Sequence, residues 1–283
     1  MRGVKVIAVL LVVCLCFCGC SARKNLKDLS VAEGLGIDNA EQGKRVTVQT
    51  LNLAKAGNGT AALSGNVTLN TAGTGRNISS AAAAAAESLS KDLFFGQNKL
   101  LVFGMDVAVN DLATCFDYLM RSENSRPDVP VCISSGTAAQ LLDCGQNDAL
   151  VPAQAVAELL KNGQNSGFSL YVSVNEMLNL YKDKTSDICL PVITAGDESS
   201  RTSGIAIFSE SRLAGVLSGD ETVGLLFLKD KVKSGYMELE SEKYGNIGVR
   251  IIGASSKTKA FAQGETVHFK VGVKLFFSCL LYT

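Results

Sequence analysis

Between Val31 and Ser134 the chain alternates short apolar runs with segments of helical period, and this rhythm limits the folds open to it. Val31–Ile37, Val46–Leu53, Lys99–Gly104 and Val129–Ser134 read as strands; Val46–Leu53 alternates apolar and polar residues, the mark of a strand buried on one face. Between them, Leu112, Cys115, Phe116 and Leu119 recur at i, i+3, i+4 and i+7, predicting an amphipathic helix over Asp111–Ser122. Ser79 and Ser80 offer N-cap chemistry to an alanine-rich helix running to about Leu93. Strand, helix, strand, helix, strand predicts an α/β domain with a mixed sheet, some of it parallel. Pro130 suggests that the strand Val129–Ser134 lies at an edge. Asp38-Asn39 reads as a turn, and Ala54–Asn77 as a long excursion between elements.

Further along, Gly136–Leu142, Pro152–Lys161 and Val174–Tyr181 are helical by pattern. The polar stretch Thr194–Ser203 suggests a boundary, giving domains at residues 20–197 and 201–283. Beyond it come a hairpin (Gly204–Phe208 and Arg212–Leu217), a helix over Ser218–Leu228 with Asp220 and Glu221 in its first turn, and strands Tyr236–Glu240, Asn246–Ser255 and Thr266–Leu275. The second region is therefore a smaller α+β unit.

The first nineteen residues are read apart from the fold. Arg2 and Lys5 precede an apolar run from Val6 to Cys18, and Phe17-Cys18-Gly19-Cys20-Ser21 closes it. A charged start, ~7–15 apolar residues and small residues at a cleavage point define an export signal. A Cys after a small residue at that point is the bacterial lipoprotein pattern, in which the thiol of Cys20 receives a diacylglycerol and residues 1–19 are removed. The run is shorter than the ~20 residues a membrane span needs. Two acyl chains suffice for stable attachment, so the expected body is tethered rather than spanning.

Charge and cysteine content narrow the function. The chain has 27 basic and 27 acidic residues, and the leader holds two of the basic ones, so the mature protein is slightly acidic. That argues against nucleic acid and against a polybasic membrane patch. Cys115, Cys132, Cys144, Cys189 and Cys279 are scattered without a C-x-x-C pair and read as buried free thiols. His268 is the sole histidine, on an expected strand, and no metal site is read.

Candidate chemistry is thin. Ser88-Leu-Ser-Lys91, Ser122-Glu-Asn124 and Lys184-Thr-Ser186 follow the order of serine penicillin-binding enzymes, but their spacing leaves no room for the helical domain those enzymes insert. Gly34-Leu-Gly36 lacks the third glycine of a dinucleotide site and reads as a turn. Asp197-Glu198 and Asp220-Glu221 read as a solvated turn and a helix start. Asn58, Asn66 and Asn77 match the glycan acceptor pattern, which a bacterial leader makes idle. No catalytic residue is assigned, and the ligand-binding residues are unknown.

The order of segments resembles the C-subunit family of spore germinant receptors. The stretches that carry it are Leu29–Asp38 with its Gly-Ile-Asp end, the Val-Thr-Val-Gln strand from Val46, Lys91–Phe95, Lys99–Gly104, and Phe116–Arg121 running on to Arg126. Gly204-Ile-Ala-Ile-Phe208, Leu213–Leu217 and Glu221-Thr-Val-Gly224 are the most specific. The chain departs in having Ser21-Ala22 where the family has Trp-Asp, and Gly96-Gln97-Asn98 where a His is usual. Family members also continue beyond the strand matching Val267–Lys274, so the greasy end Leu275–Thr283 reads as a truncation, as a frameshift near Leu275 would produce.

The resemblance implies a non-enzymatic lipoprotein without cofactor, on the outer face of the inner spore membrane. It would assemble with integral-membrane A- and B-type receptor subunits and act in assembly or coupling during germination. The alternative is a solute-binding lipoprotein of a transporter, expected to show two comparable lobes around a polar cleft.

Overall fold

The computed structural model describes Gly3 and residues 28–52, 67–122, 126–144, 149–183, 186–242 and 245–280. Cys20, the acceptor residues Asn58 and Asn66, and Lys184 lie outside the described residues. Strand β1 (Leu29–Ala40) and strand β2 (Gly43–Leu51) form an antiparallel hairpin. Asp38 and Asn39 are not a turn but strand residues opposite Arg45 and Lys44; the chain reverses at Glu41-Gln42, with Gly43 at φ +103. β3 (Thr68–Gly75) pairs with β2, so the later part of the Gly- and Thr-rich excursion is an edge strand.

Helix α1 (Ile78–Glu87) starts earlier and ends sooner than expected. Asn77 is its N-cap, accepting from Ser80 N at 2.8 Å, while Asn77 N donates to Ser80 Oγ at 3.2 Å, a reciprocal box that fixes the start. Past Ser88 the chain forms β4 (Asp92–Phe94), parallel to the beginning of β1. Ala81 and Ala85 of α1 are fully buried over β3. A Cβ at Gly73 would lie 2.1 Å from Ala85 N, so helix and strand meet backbone to backbone.

β5 (Leu100–Phe103), β6 (Val131–Ser134) and β7 (Ile188–Ala195) lie parallel to β1, side by side in the order β1-β5-β6-β7. Helices α2 (Met105–Asn110) and α3 (Leu112–Arg121) connect β5 to β6. Helices α4 (Ala138–Asp143), α5 (Pro152–Asn165) and α6 (Val174–Lys182) connect β6 to β7. Strand alternation sends Leu101, Phe103, Val131 and Ile133 towards α1, α3 and α6, and Leu100, Val102 and Cys132 towards α4 and α5. With both faces covered, these strands are apolar throughout. β6 is central, not an edge. Pro130 sits just before it, bridging Ser173, where the missing N–H costs no ladder bond.

β8 (Ser200–Ser209) runs antiparallel to β7, and β9 (Arg212–Leu217) to β8 through Glu210-Ser211, both at positive φ. The stretch 194–203 thus forms the turn of a hairpin, and the nine-stranded sheet continues through it. Helix α7 (Gly219–Leu228) leads into a three-stranded antiparallel sheet of β10 (Gly235–Ser241), β11 (Gly245–Gln263) and β12 (Thr266–Leu280). The architecture is an α/β domain with a mixed sheet followed by a smaller helix-and-sheet region.

Gly34 and Gly36 are not a turn. They lie mid-strand in β1 beneath α4 and α5: a Cβ at Gly34 would be 2.7 Å from both Ala153 Cβ and Leu142 Cδ2, and one at Gly36 3.0 Å from Ala138 Cβ. Of the polar side chains trapped by this close packing, Asp38 and Gln49 are paired, whereas Thr47 Oγ1, opposite Gly36, is buried without a hydrogen-bond partner. Asp38, 3 % exposed, accepts from Ala138 N at 2.7 Å and Ala139 N at 3.1 Å, closing the first turn of α4. Gln49, fully buried, accepts from Ala153 N at 2.9 Å and donates to Asn70 Oδ1 at 3.0 Å and to the Leu142 carbonyl. Lys44, almost fully buried, donates to Asn39 Oδ1 at 2.6 Å and pairs with Asp111, fixing the β1–β2 turn against the start of α3.

Burial raises the Asp38 carboxyl above its ordinary value, against the two N–H bonds that lower it. Asp38→Asn presents an NH2 to a backbone donor and is expected to cost about 1–3 kcal/mol at neutral pH. The folded carboxyl holds its proton more tightly than the unfolded one. Hence the wild-type chain gains stability relative to Asp38→Asn as pH falls from neutral towards the ordinary Asp value of about 3.9. Urea midpoints of both proteins at the two pH values check this. Gly73→Ala forces α1 off β3 and is expected to cost about 1–3 kcal/mol, whereas Gly215→Ala on β9, with nothing within 4 Å, carries no packing cost in the same urea assay.

Candidate functional site

The residues singled out by sequence do not converge. Cys20 lies outside the described residues. Ser88 caps the end of α1, its Oγ donating to Ala85 O at 2.8 Å, and Ser122 follows α3; the rest of the second serine-enzyme motif and the start of the third lie outside the described residues. His268 is on β12, its ring stacked on Phe261 at 5.5 Å between centroids. Asp197-Glu198 occupies the β7–β8 turn, and Asp220-Glu221 the first turn of α7.

Cys115, Cys132, Cys144 and Cys189 are buried; Cys279 is exposed on β12, contrary to the expectation of burial. Burial pushes the Cys115 thiol up to about 12 and raises Cys132, Cys144 and Cys189 as well. A thiol held protonated is a poor nucleophile and a poor metal ligand. Among the described residues no three His, Cys, Asp or Glu side chains are grouped to hold a metal ion.

Two of the surface concavities that the fold assembles from distant segments lie on the nine-stranded body. The larger, about 800 Å3, runs between α1 and α3. One wall is smooth, made by Ala82, Ala83 and Ala86; the other carries Asp117, Tyr118 and Arg121; Leu93 and Phe95 form part of its lining. Arg121 Nε donates to Asp117 Oδ1 at 2.9 Å, one turn apart on exposed helix, so that pair sets local polarity more than stability. Only the short strand β4, docked on the start of β1, brings Leu93 to this place.

The second, about 340 Å3, lies at the amino ends of β5 and β6 against α5. Lys99, Arg126, Asp128, Glu158, Lys161 and Tyr171 line it. Arg126 grips Asp128 in a fork, Nε to Oδ1 at 3.2 Å and Nη2 to Oδ2 at 2.7 Å, and its Nη1 reaches Gly96 O at 3.3 Å. The guanidinium holds the Asp128 carboxyl below its ordinary value, and burial, with Asp128 nearby, raises Tyr171. Neither concavity contains the sole histidine. Sequence reasoning missed them because their lining residues come from segments far apart in the chain.

Residues 22–195 match the family model described as spore germination protein N-terminal domain. Residues 203–279 match the one described as spore germination B3/GerAC-like, C-terminal. A relative from Bacillus subtilis (strain 168), YfkR, provisionally named a spore germination protein, is 23% identical over 235 residues, which are 79% of this chain and 60% of the relative. The chain thus spans about three-fifths of the length of that curated relative. The crystal structure of the GerBC protein aligns with a TM-score of 0.46 and 16% identity, covering 92% of this chain and 76% of that one. With both family models matched in order along nearly all the described residues, the chain belongs to the GerAC-type family of spore germination proteins.

Proposed function

We propose that this chain is the lipoprotein C-subunit of a nutrient germinant receptor, acting in assembly or coupling rather than catalysis. The observation that carries the reading is the pair of family matches, residues 22–195 and 203–279, laid end to end. The first begins two residues beyond Cys20, where an export signal followed by a lipid attachment site would leave the folded body to start. No helix among the described residues is long and apolar enough to cross a membrane, so attachment through Cys20 would supply the anchor. Its place would be the outer face of the inner spore membrane, beside integral-membrane A- and B-type subunits. The groove between α1 and α3, with one wall of alanine, offers a low-relief surface on which a partner element could lie closely. The solute-binding alternative expects two comparable lobes, whereas here a nine-stranded sheet meets a three-stranded one; the concavity between them, about 560 Å3, is lined by Phe168, Tyr236 and Arg250.

Mass spectrometry of the mature protein from spore membranes is expected to find a diacylglycerol-modified Cys20 at the amino terminus. Cys20→Ala is expected to leave the membrane fraction and to stop co-purifying with the two membrane subunits. An unmodified Cys20 in membrane-bound protein, or undiminished co-purification of the Ala variant, would overturn the reading.

A further inference from the structure

β3 closes one edge of the nine-stranded sheet, with β2 on its inner side and no strand among the described residues on its outer side. Its ladder with β2 runs from Lys44↔Gly75 to Leu51↔Thr68 without a register shift. Just before it, Asn52 N donates to Val67 O at 2.7 Å, so the hydrogen-bonded pairs with β2 fall at Leu69, Thr71, Gly73 and Gly75. The backbone N–H and C=O groups of Thr68, Asn70, Ala72 and Thr74 therefore point away from β2, along the open edge. β2 fixes the register of this row, and α1 backs it from one face, backbone against backbone at Gly73.

An open edge is a template for strand addition, and folded chains blunt it with charge, proline, bulges or short length. The other edge strands do so. β4 is three residues long and begins with Asp92; β9 begins with Arg212 and pairs with β8 through a register shift. β10 carries Glu238 and Glu240, and β12 carries Lys270 and Lys274. β3 has eight residues with no charge, no proline and no bulge, and its Leu69 is 48% exposed. The bareness extends beyond the strand: between Lys55 and Glu87 the sole charged residue is Arg76, in a chain of which 19% is charged. β3 also lies within the N-terminal family match, at the far edge of the sheet from β8. The three-stranded sheet, which holds the last described residues, is joined on that other side, through α7 packed on β8 and β11.

We propose that the open edge of β3 docks an extended, uncharged segment of a partner polypeptide, which adds to the sheet as a further antiparallel strand. Main-chain bonds to Thr68, Asn70, Ala72 and Thr74 hold the segment, and its alternate side chains meet Leu69 on one face and Ala72 on the other. The edge offers no ion to pair with, so a charged segment would lose hydration there without compensation, and an uncharged one loses none. A second copy of the chain fits less well. Two rigid bodies meeting along this edge share about 27 Å of strand, roughly 270 Å2 each, against the ~800 Å2 per partner of a stable protein interface. An extended segment tied to a larger assembly needs only the ladder. The inference rests on the proposed reading for its source: an outer-face segment of one of the two membrane subunits.

Amide-resolved hydrogen exchange on the lipidated full chain in detergent, alone and co-purified with the two membrane subunits, tests this. In the chain alone, the amides of Asn70, Ala72 and Thr74 are expected to exchange at least tenfold faster than those of Leu69, Thr71 and Gly73. In the complex they are expected to slow at least tenfold. Outer amides that are already slow in the chain alone overturn the proposal: concentration-dependent protection means a second copy takes the edge, and concentration-independent protection means cover from within the chain. Outer amides that stay fast in the complex overturn it too, while leaving the C-subunit reading intact. A wild-type chain that fails to co-purify removes both. Ala72→Lys puts a charge on this exposed edge and is expected to cut co-purification at least tenfold with the urea midpoint unchanged. Val216→Lys, exposed on β9, is expected to co-purify like the wild type. Equal recovery of the two variants overturns the proposal, and if Ala72→Lys does not fold, the exchange pattern of the wild type decides.

Discussion

The approach of α4 and α5 to β1 across Gly34 and Gly36 is the constraint on which the rest of the core depends. Without side chains at these positions, Ala138, Leu142 and Ala153 settle directly on the strand. That closeness excludes water, so a backbone N–H or C=O caught beneath is costly without a protein partner. Asp38 and Gln49 are those partners: one closes the start of α4, and the other ties the end of α4 to the start of α5. The geometry is restrictive because it is polar. Apolar packing tolerates a shifted register, whereas carboxylate and amide bonds to named backbone atoms do not.

How much was legible in the sequence follows the range of the interaction responsible. The stripe Leu112, Cys115, Phe116 and Leu119 was read correctly as the buried face of α3, because periodicity along a single helix is local information. The hairpin of β8 and β9 and the helix α7 were legible for the same reason. The elements misread depend on distant partners. β3, poor in apolar residues, is a strand because β2 supplies its ladder and α1 its cover. Pro130 precedes a central strand because the position it occupies needs no donor there. Gly34 and Gly36 looked like a turn because nothing nearby in sequence announces two helices arriving over a hundred residues later. The candidate surfaces divide likewise. The Cys20 motif is a linear signal that a sequence can propose by itself, whereas the grooves are built by strand pairing and have no linear trace.

The motifs that carried the family resemblance have mainly architectural tasks in the structure. Asp38 of Gly-Ile-Asp and Gln49 of Val-Thr-Val-Gln hold helices. In the Gly-Ile-Ala-Ile-Phe run, Ala206 and Phe208 are fully buried, and a Cβ at Gly204 would lie 2.1 Å from the Leu217 carbonyl. Thr222 of Glu-Thr-Val-Gly is buried and donates to Leu217 O at 3.2 Å, bonding α7 to the end of β9. A collinear series of such residues identifies a fold closely while saying little about chemistry.

The ladder between β7 and β8 has a mechanical consequence. It joins the segments matched by the two family models along a ladder from Ile188↔Phe208 to Ala195↔Ser200, with one register shift between Val192 and Ile193. A pull along these strands loads the ladder in shear, where many hydrogen bonds must give way together. The three-stranded sheet hangs on weaker fastenings: the apolar contacts of α7, Ser234 Oγ to Asn165 O at 2.6 Å, and Ser256 N to Asp230 Oδ1 at 2.8 Å. These can be undone one by one, by peeling. Tension arriving through β10–β12 would therefore strain that junction first and leave the nine-stranded body moving as a stiff lever.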